Sequence, residues 1–411
     1  MSKFEKKFNK VDVQWAVNLF GTAVGAGILF LPLRVGGGGG GFLALLLMLI
    51  IIFPMMYLGH RYLAYFVVNA KTKDGLLESV NEGFGKKVGV VLSVLFFFAI
   101  YPICLIYGVG ITNTVTSFLV NQLHFQNVYR PAVAVVMISF FMFSMLLNKE
   151  LVLKILSFLT YPLIVLLFIC SLYLIPNWKA DSVLFQVPQA GGVLKSLWIS
   201  LPILVFAFNY SPAVSLFAQD NRLKYGADAE NKVAKTMLLT TTILSTFIFI
   251  FIISCLLALS PSDLVLAKNA NIPTLSYFAN ISGDNVFLKY VAPIIAILAI
   301  SSSFFGHYFG AKEGLVVLLE NKIKNKKLVV GIVNLFMYIT MIIVALINPN
   351  ILGFIESLGA PILVMILFIF PIIAMYKVDF MRKYQAYKLT NLFLLAMGVI
   401  TLIAVGILFF Q

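Results

Sequence analysis

The chain has 411 residues, of which 61% are hydrophobic and only 11% charged, whereas about a quarter of a soluble domain is charged. That much apolar surface excludes a water-soluble globule and makes lipid the solvent. The net charge of +14 does not point to nucleic acid, because the basic residues fall between apolar runs, where they orient a chain in a membrane.

A hydrocarbon core about 30 Å thick needs about 20 helical residues to cross it. Apolar segments of that size predict spans near 13–33, 42–68, 88–120, 131–147, 151–175 and 193–218, then 236–259, 286–319, 329–347, 352–376 and 389–410. The expected fold class is therefore all-α integral membrane with eleven transmembrane helices in a single domain. Alternating ten-residue segments are absent, which excludes a membrane β-barrel. The basic start MSKFEKKFNK has the look of a signal peptide. The apolar stretch behind it is broken by Gly21, Gly25 and Gly27 and ends in no small-residue cleavage site, so it predicts an uncleaved first span. Cys104, Cys170 and Cys255 each lie within an apolar stretch, as small hydrophobes rather than a disulfide or zinc framework.

With the N-terminus inside, the inside segments hold 24 of the 30 Lys and Arg residues. Such asymmetry predicts a cytoplasmic N-terminus and a periplasmic C-terminus. The longest loops, near 219–235 and 260–285, are too short for a soluble domain. Residues 74–87 read as a short interfacial helix, and the glycines from Gly36 to Gly41 as a flexible linker. His60 and Arg61, at the end of the second span, read as interfacial anchors.

Two spans carry helix-breaking clusters. In the first, Gly21, Gly25 and Gly27 fall within seven residues; in the sixth, Pro202 and Pro212 bracket Phe206, Ala207, Phe208, Asn209, Tyr210 and Ser211. They are five spans apart, the offset of two inverted five-helix repeats, here 13–175 and 193–376, with 389–410 as an extra helix. Unwound backbone in lipid must line a polar cavity or be buried in protein. The half-helix beyond a break offers free N–H groups to a carboxylate, and the half-helix before it offers carbonyls to an ammonium or a metal cation. One interrupted pair thus matches a zwitterion. Two blander readings stand beside this. Gly21-x-x-x-Gly25 is also a helix-packing pattern, and Pro202 and Pro212 also read as ordinary kinks. Asn209 adds weight to a site, since an amide in the membrane is costly without a partner.

Five ordered stretches carry a family resemblance: residues 18–32 (NLFGTAVGAGILFLP), 97–114 (FFAIYPICLIYGVGITNT), 205–217 (VFAFNYSPAVSLF), 292–314 (APIIAILAISSSFFGHYFGAKEG) and 348–361 (NPNILGFIESLGAP). On these the chain resembles the hydroxy and aromatic amino acid permease family, on its bacterial serine/threonine branch. The resemblance implies a first ten helices similar to the broken-helix, inverted-repeat fold of bacterial leucine transporters. It also implies symport of serine or threonine across the inner membrane, usually with protons. Carried over residue by residue, it places the substrate carboxylate on the Ala26 and Gly27 amides and the amine on the Ala23 carbonyl. Gly25 lies in the unwound segment, Phe206, Ala207 and Asn209 complete the pocket, and Tyr101 or Tyr107 caps it. Thr22, Asn209 or the serines 301–303 would meet a substrate hydroxyl.

The coupling ion is left between H+ and Na+, with H+ preferred and no other cofactor expected. The resemblance implies a lysine at the third residue of the serine triplet, where this chain has Ser303. Ser302 and Ser303 facing the carbonyls of Gly21 and Val24 would make an oxygen cage for Na+. A proton would instead need a titratable carrier, for which His307, Glu313 and Glu356 are the candidates. Glu313 also reads as a structural ion pair with its neighbour Lys312, and His307 as a bond to a neighbouring helix. An aromatic amino acid permease of the same family is the near alternative. A channel fits paired broken helices less well. A membrane-embedded enzyme would need a nucleophile–base set or clustered metal ligands, which three scattered histidines do not supply. The partners expected are a small amino acid and lipid; oligomeric state is not legible.

Overall fold

In hydrocarbon no water meets the backbone, so an apolar chain must close its hydrogen bonds within each segment, as a helix does. A computed structural model describes residues 8–72, 75–180, 182–188, 190–320, 322–355 and 359–409. Among these the regular structure is helical throughout, with no strand. The first apolar segment forms two helices, α1 (Lys10–Ala23) and α2 (Ala26–Val35), bent by 54° at the two residues between them. α3 (Gly41–Asn69) follows, and α4 (Leu76–Phe84) is the short helix expected at 74–87. Next come α5 (Lys86–Ser117), extended by a π turn to Gln122, then α6 (Arg130–Ser144) and α7 (Lys149–Tyr173).

The sixth segment is again two helices, α8 (Gly192–Ala207) and α9 (Ser211–Tyr225), parted at Phe208, Asn209 and Tyr210. Gly226, at φ 51°, turns the chain toward α10 (Ala229–Ala258), in a conformation that only glycine adopts freely. Two loop helices, α11 (Pro261–Asn269) and α12 (Thr274–Ile281), precede the long α13 (Val286–Glu320) and α14 (Lys326–Ile347). The tenth segment runs through α15 (Ile351–Phe354), α16 (Ala360–Val364), a π turn and α17 (Phe370–Lys377); α18 (Lys388–Phe409) closes the chain. Among the described residues, eight runs are long and apolar enough to cross a membrane, and the bent α1–α2 pair makes a ninth. α6 and α8 are apolar but shorter, at 15 and 16 residues.

α13 is the hub, packed along α5 and α7 and against α1 and α9. Glycines make the approach close. A Cβ on Gly306 would lie 2.2 Å from Thr22 Oγ1, and one on Gly310 would lie 2.9 Å from Pro212; such small residues let backbones meet where lipid gives no hydrophobic drive. Buried hydroxyls return to their own helices: Ser93 to the Gly89 carbonyl, Thr112 to Gly108 and Thr160 to Leu156, at 2.7–2.8 Å. α14 and α18 turn most of their surface outward, with Leu335, Ile347 and Leu389 exposed. That apolar face is the one lipid would cover.

Candidate functional site

The break in the first segment is built on Val24 and Gly25. α1 ends with the Val24 N–H on the Phe20 carbonyl at 2.9 Å, and Gly25 is extended (φ −144°, ψ −150°). α2 then starts at Ala26 with no side chain capping its first turn, and the first donor to bond back is Leu29 N, to the Gly25 carbonyl at 3.2 Å. The opening N–H groups of α2 therefore have no intrahelical partner, and they form a ready anion site. Side chains crowd this point. A Cβ on Gly25 would lie 2.5 Å from Ser303 Cβ and Oγ and 2.9 Å from the Tyr107 hydroxyl; one on Gly27 would lie 2.6 Å from Phe206 Cδ1. Gly21 belongs elsewhere: its Cβ would strike Thr160 Oγ1 of α7 at 2.0 Å. The glycine cluster thus divides between packing, at Gly21, and the break, at Gly25 and Gly27.

The second break is sealed differently. Pro212 sits at the second position of α9, where no N–H is needed. The Ser211 N–H donates to Asn209 Oδ1 at 3.1 Å and Ala213 N–H to the Tyr210 carbonyl at 3.1 Å. The Tyr210 N–H reaches 150 positions back to His60 Nε2, at 3.1 Å. His60 is fully buried, donates from Nδ1 to the Met56 carbonyl at 2.8 Å and stacks on the Tyr210 ring at 3.6 Å. It is a structural member of the break and not an interfacial anchor. The Ser211 and Ala213 donors that open α9 are thus answered from within, whereas among the described residues no bond answers the opening donors of α2. Asn209 is buried, and its Nδ2 has no partner among the described residues; unpaired, such a group costs about 1–3 kcal/mol.

The remaining predicted residues separate. Ala23 ends α1, and Ala26, Ala207 and Phe206 are buried where α2 meets α8. Thr22 donates to the Asn18 carbonyl at 2.8 Å, while its own carbonyl accepts from Ser303 Oγ at 2.5 Å. Ser303 Oγ also meets the Tyr107 hydroxyl at 2.6 Å. Ser302 turns back to the Ala299 carbonyl at 3.1 Å. The serine contact on the break is therefore to Thr22, one residue from the Gly21 carbonyl expected, and among the described residues no bond joins either serine to Val24. Tyr101 is away from the break: its hydroxyl bonds Thr340 of α14 and its ring stacks on Phe97. Six residues on, at about 100° per residue, Tyr107 occupies another face of α5 and supplies the hydroxyl at Gly25.

His307 donates from Nδ1 to the Ser303 carbonyl of its own helix at 2.9 Å, not to a neighbouring one. Glu313 is not paired with Lys312. Its Oε1 accepts from Ser215 of α9 at 3.2 Å and from the Leu77 N–H at the start of α4 at 3.4 Å, while Lys312 lies over the Tyr308 ring. Glu356 lies outside the described residues.

Both halves of the first broken helix are tied to other elements. At the basic end, Lys232 of α10 meets Asp12 at 3.0 Å with both buried, and Tyr225 donates to Asp12 at 2.5 Å. Beyond the break, Thr274 of α12 donates to the Leu29 carbonyl, one turn into α2, at 2.7 Å. A cavity of about 460 Å³ lies beside the end of α2, lined by Arg34, Gln186 and Lys268. Another, of about 390 Å³, lies along α9 and α13, lined by Gln219, Lys312, Glu313 and Glu320.

Residues 13–410 match the sequence profile of the tryptophan/tyrosine permease family. The chain is 40% identical to the serine transporter SdaC of Escherichia coli K12, over 97% of this chain and 95% of that one. It is 38% identical to the threonine/serine transporter TdcC of Escherichia fergusonii, over 96% and 95%. A crystal structure of MhsT in complex with L-phenylalanine aligns over 98% of both chains with a TM-score of 0.56 and 17% identity. That last likeness is one of fold.

Proposed function

The chain belongs to the tryptophan/tyrosine permease family, and from that premise we propose that it imports a small neutral amino acid, serine first and threonine second, by symport with a cation. Relatives named as serine and threonine/serine transporters support this substrate class. The observation that carries it is the unequal pair of breaks: free N–H groups at the start of α2 face a sixth segment whose own donors are capped. The carboxylate then goes to the Ala26 and Gly27 amides, and the ammonium to carbonyls at the end of α1, that of Ala23 first. The substrate hydroxyl goes to Asn209 Nδ2, which a site of this kind would leave open for it.

On this reading the chain spans the inner membrane eleven times, with its basic end cytoplasmic. Inverted repeats cover 13–175 and 193–376, with a further helix at 389–410. The two end cavities are the alternate entrances. The ion is a proton in preference to sodium. The Ser303 and Ser302 hydroxyls donate to the Thr22 and Ala299 carbonyls, and among the described residues neither meets the Gly21 or Val24 carbonyl that the expected oxygen cage for Na+ would use.

Ser303→Ala is accordingly expected to leave ion coupling unchanged. Labelled serine uptake into proteoliposomes under an imposed pH gradient, with and without Na+, checks this. Uptake that requires Na+ and loses that requirement in the variant would reverse the choice of ion. Competition by excess threonine but not by tryptophan or tyrosine is expected in the same assay; inhibition by the aromatics alone would overturn the substrate.

A further inference from the structure

We propose that His60 couples proton binding to the opening of the sixth-segment break, which makes it the proton-linked residue of the transport cycle; this last step rests on the symporter reading above. The geometry admits one form of the imidazole. Nδ1 faces the Met56 carbonyl, which can only accept, and Nε2 faces the Tyr210 N–H, which can only donate. The ring must be neutral with its proton on Nδ1. A proton on Nε2 would set donor against donor and release the Tyr210 amide, the sole link from α3 to the backbone of the break among the hydrogen bonds of the described residues. Tyr210 is itself fixed to α10 through Thr241 at 3.1 Å, so the imidazole, the break and α10 act as one clamp.

The groups facing the ring are Tyr210 and Asn209 from the break, with Tyr57 one turn back on α3. Arg61, next on α3, is held over the rings of Tyr57, Tyr62 and Tyr65. Among the charges of the other elements packed on α3, Glu230 of α10 pairs with Lys383, Lys232 with Asp12 and Asp379 with Arg382, while Arg222 of α9 bonds the carbonyls of Lys71 and Thr72 and Glu82 of α4 the amides of those two residues. On the side of the tenth segment, Phe368 closes on Gly59. When α9 moves and water enters, hydronium from the solvent gives its proton to Nε2 and leaves as water, and the Tyr210 N–H turns to water. The open form binds this proton and the closed form does not, so opening grows as pH falls. For a solvated imidazole of pKa about 6.5, the open population rises about 30-fold from pH 8 to pH 5.

The test is hydrogen–deuterium exchange of the purified full-length protein, reading the Tyr210 amide after correction for its intrinsic rate. Its rate is expected to rise about 30-fold between pH 8 and pH 5. In His60→Gln, where Oε1 keeps an acceptor for the amide but does not titrate, the rate should stay within about twofold across that range. His60→Leu should exchange fast at both pH values. A flat wild-type profile, or an equal rise in His60→Gln, overturns the proposal. Exchange needs no substrate, so it separates the two readings. A wild-type protein with the pH-dependent amide but no serine uptake retires the transport cycle and keeps the proton-linked opening. Serine uptake in His60→Gln that retains the wild-type pH profile removes His60 from the cycle.

Discussion

Gly25→Leu is expected to abolish saturable serine uptake while the protein still inserts in the membrane in normal amount. Gly25 is extended and not left-handed, so the backbone tolerates a side chain and the cost is one of space. Even the first carbon would lie 2.5 Å from Ser303 and 2.9 Å from the Tyr107 hydroxyl. The rest of a leucine would push α2 away from α5 and α13 and displace the N–H groups meant for the carboxylate. Misplacing a binding group by about 1 Å costs about 100-fold, and the effect here should reach at least that. Gly331→Leu is the matched control, because Gly331 is exposed on α14 with no atom near its Cβ position. It should leave uptake within about twofold. Wild-type affinity in Gly25→Leu would show that the first break does not hold substrate.

The second large effect concerns stability. Asp12→Ala removes the carboxylate that the buried Lys232 ammonium meets at 3.0 Å and the acceptor of the Tyr225 hydroxyl. Breaking one partner of a buried pair costs about 3–5 kcal/mol, whereas replacing both with apolar groups is often close to neutral. Thermal unfolding of the purified variants should therefore rank Asp12→Ala lowest, with the double variant Asp12→Ala/Lys232→Met recovering most of the loss. If the double variant is as unstable as the single one, the pair is not what joins α1 to α10.

The interruptions themselves were legible, because glycines and prolines mark where a helix cannot continue and Asn209 marks a polar place. The short helix α4 was legible for a similar reason, as a polar stretch between apolar ones. Side-chain partners were less so. His60 lies eight residues before the end of the predicted span at 68, about 12 Å along a helix, and that depth was the signal against an interfacial role. Its partner, however, is a backbone amide 150 positions away, and residue types alone do not reveal such a contact. The choice between Tyr101 and Tyr107 depends on the rotation of α5 about its axis, and the meeting of Ser303 with Thr22 on a register of one residue between α13 and α1. Neither phase is fixed by pattern where a helix is buried on nearly every side. Glu313 looked paired with Lys312 because they are adjacent, yet adjacent residues on a helix do not face each other, and the carboxylate turns to Ser215 and α4.

The central claim is that the start of α2 takes the carboxylate and the carbonyls before it take the amine. Counterflow of labelled serine in proteoliposomes, challenged with two truncated forms of serine, tests it most directly. Ethanolamine lacks the carboxylate and 3-hydroxypropionate lacks the ammonium. Each should compete at least about 100-fold more weakly than unlabelled serine, since a site built to bond a group rejects the analogue without it. Ethanolamine competing as well as serine would contradict the account, because the free N–H groups of α2 would then have no part in binding.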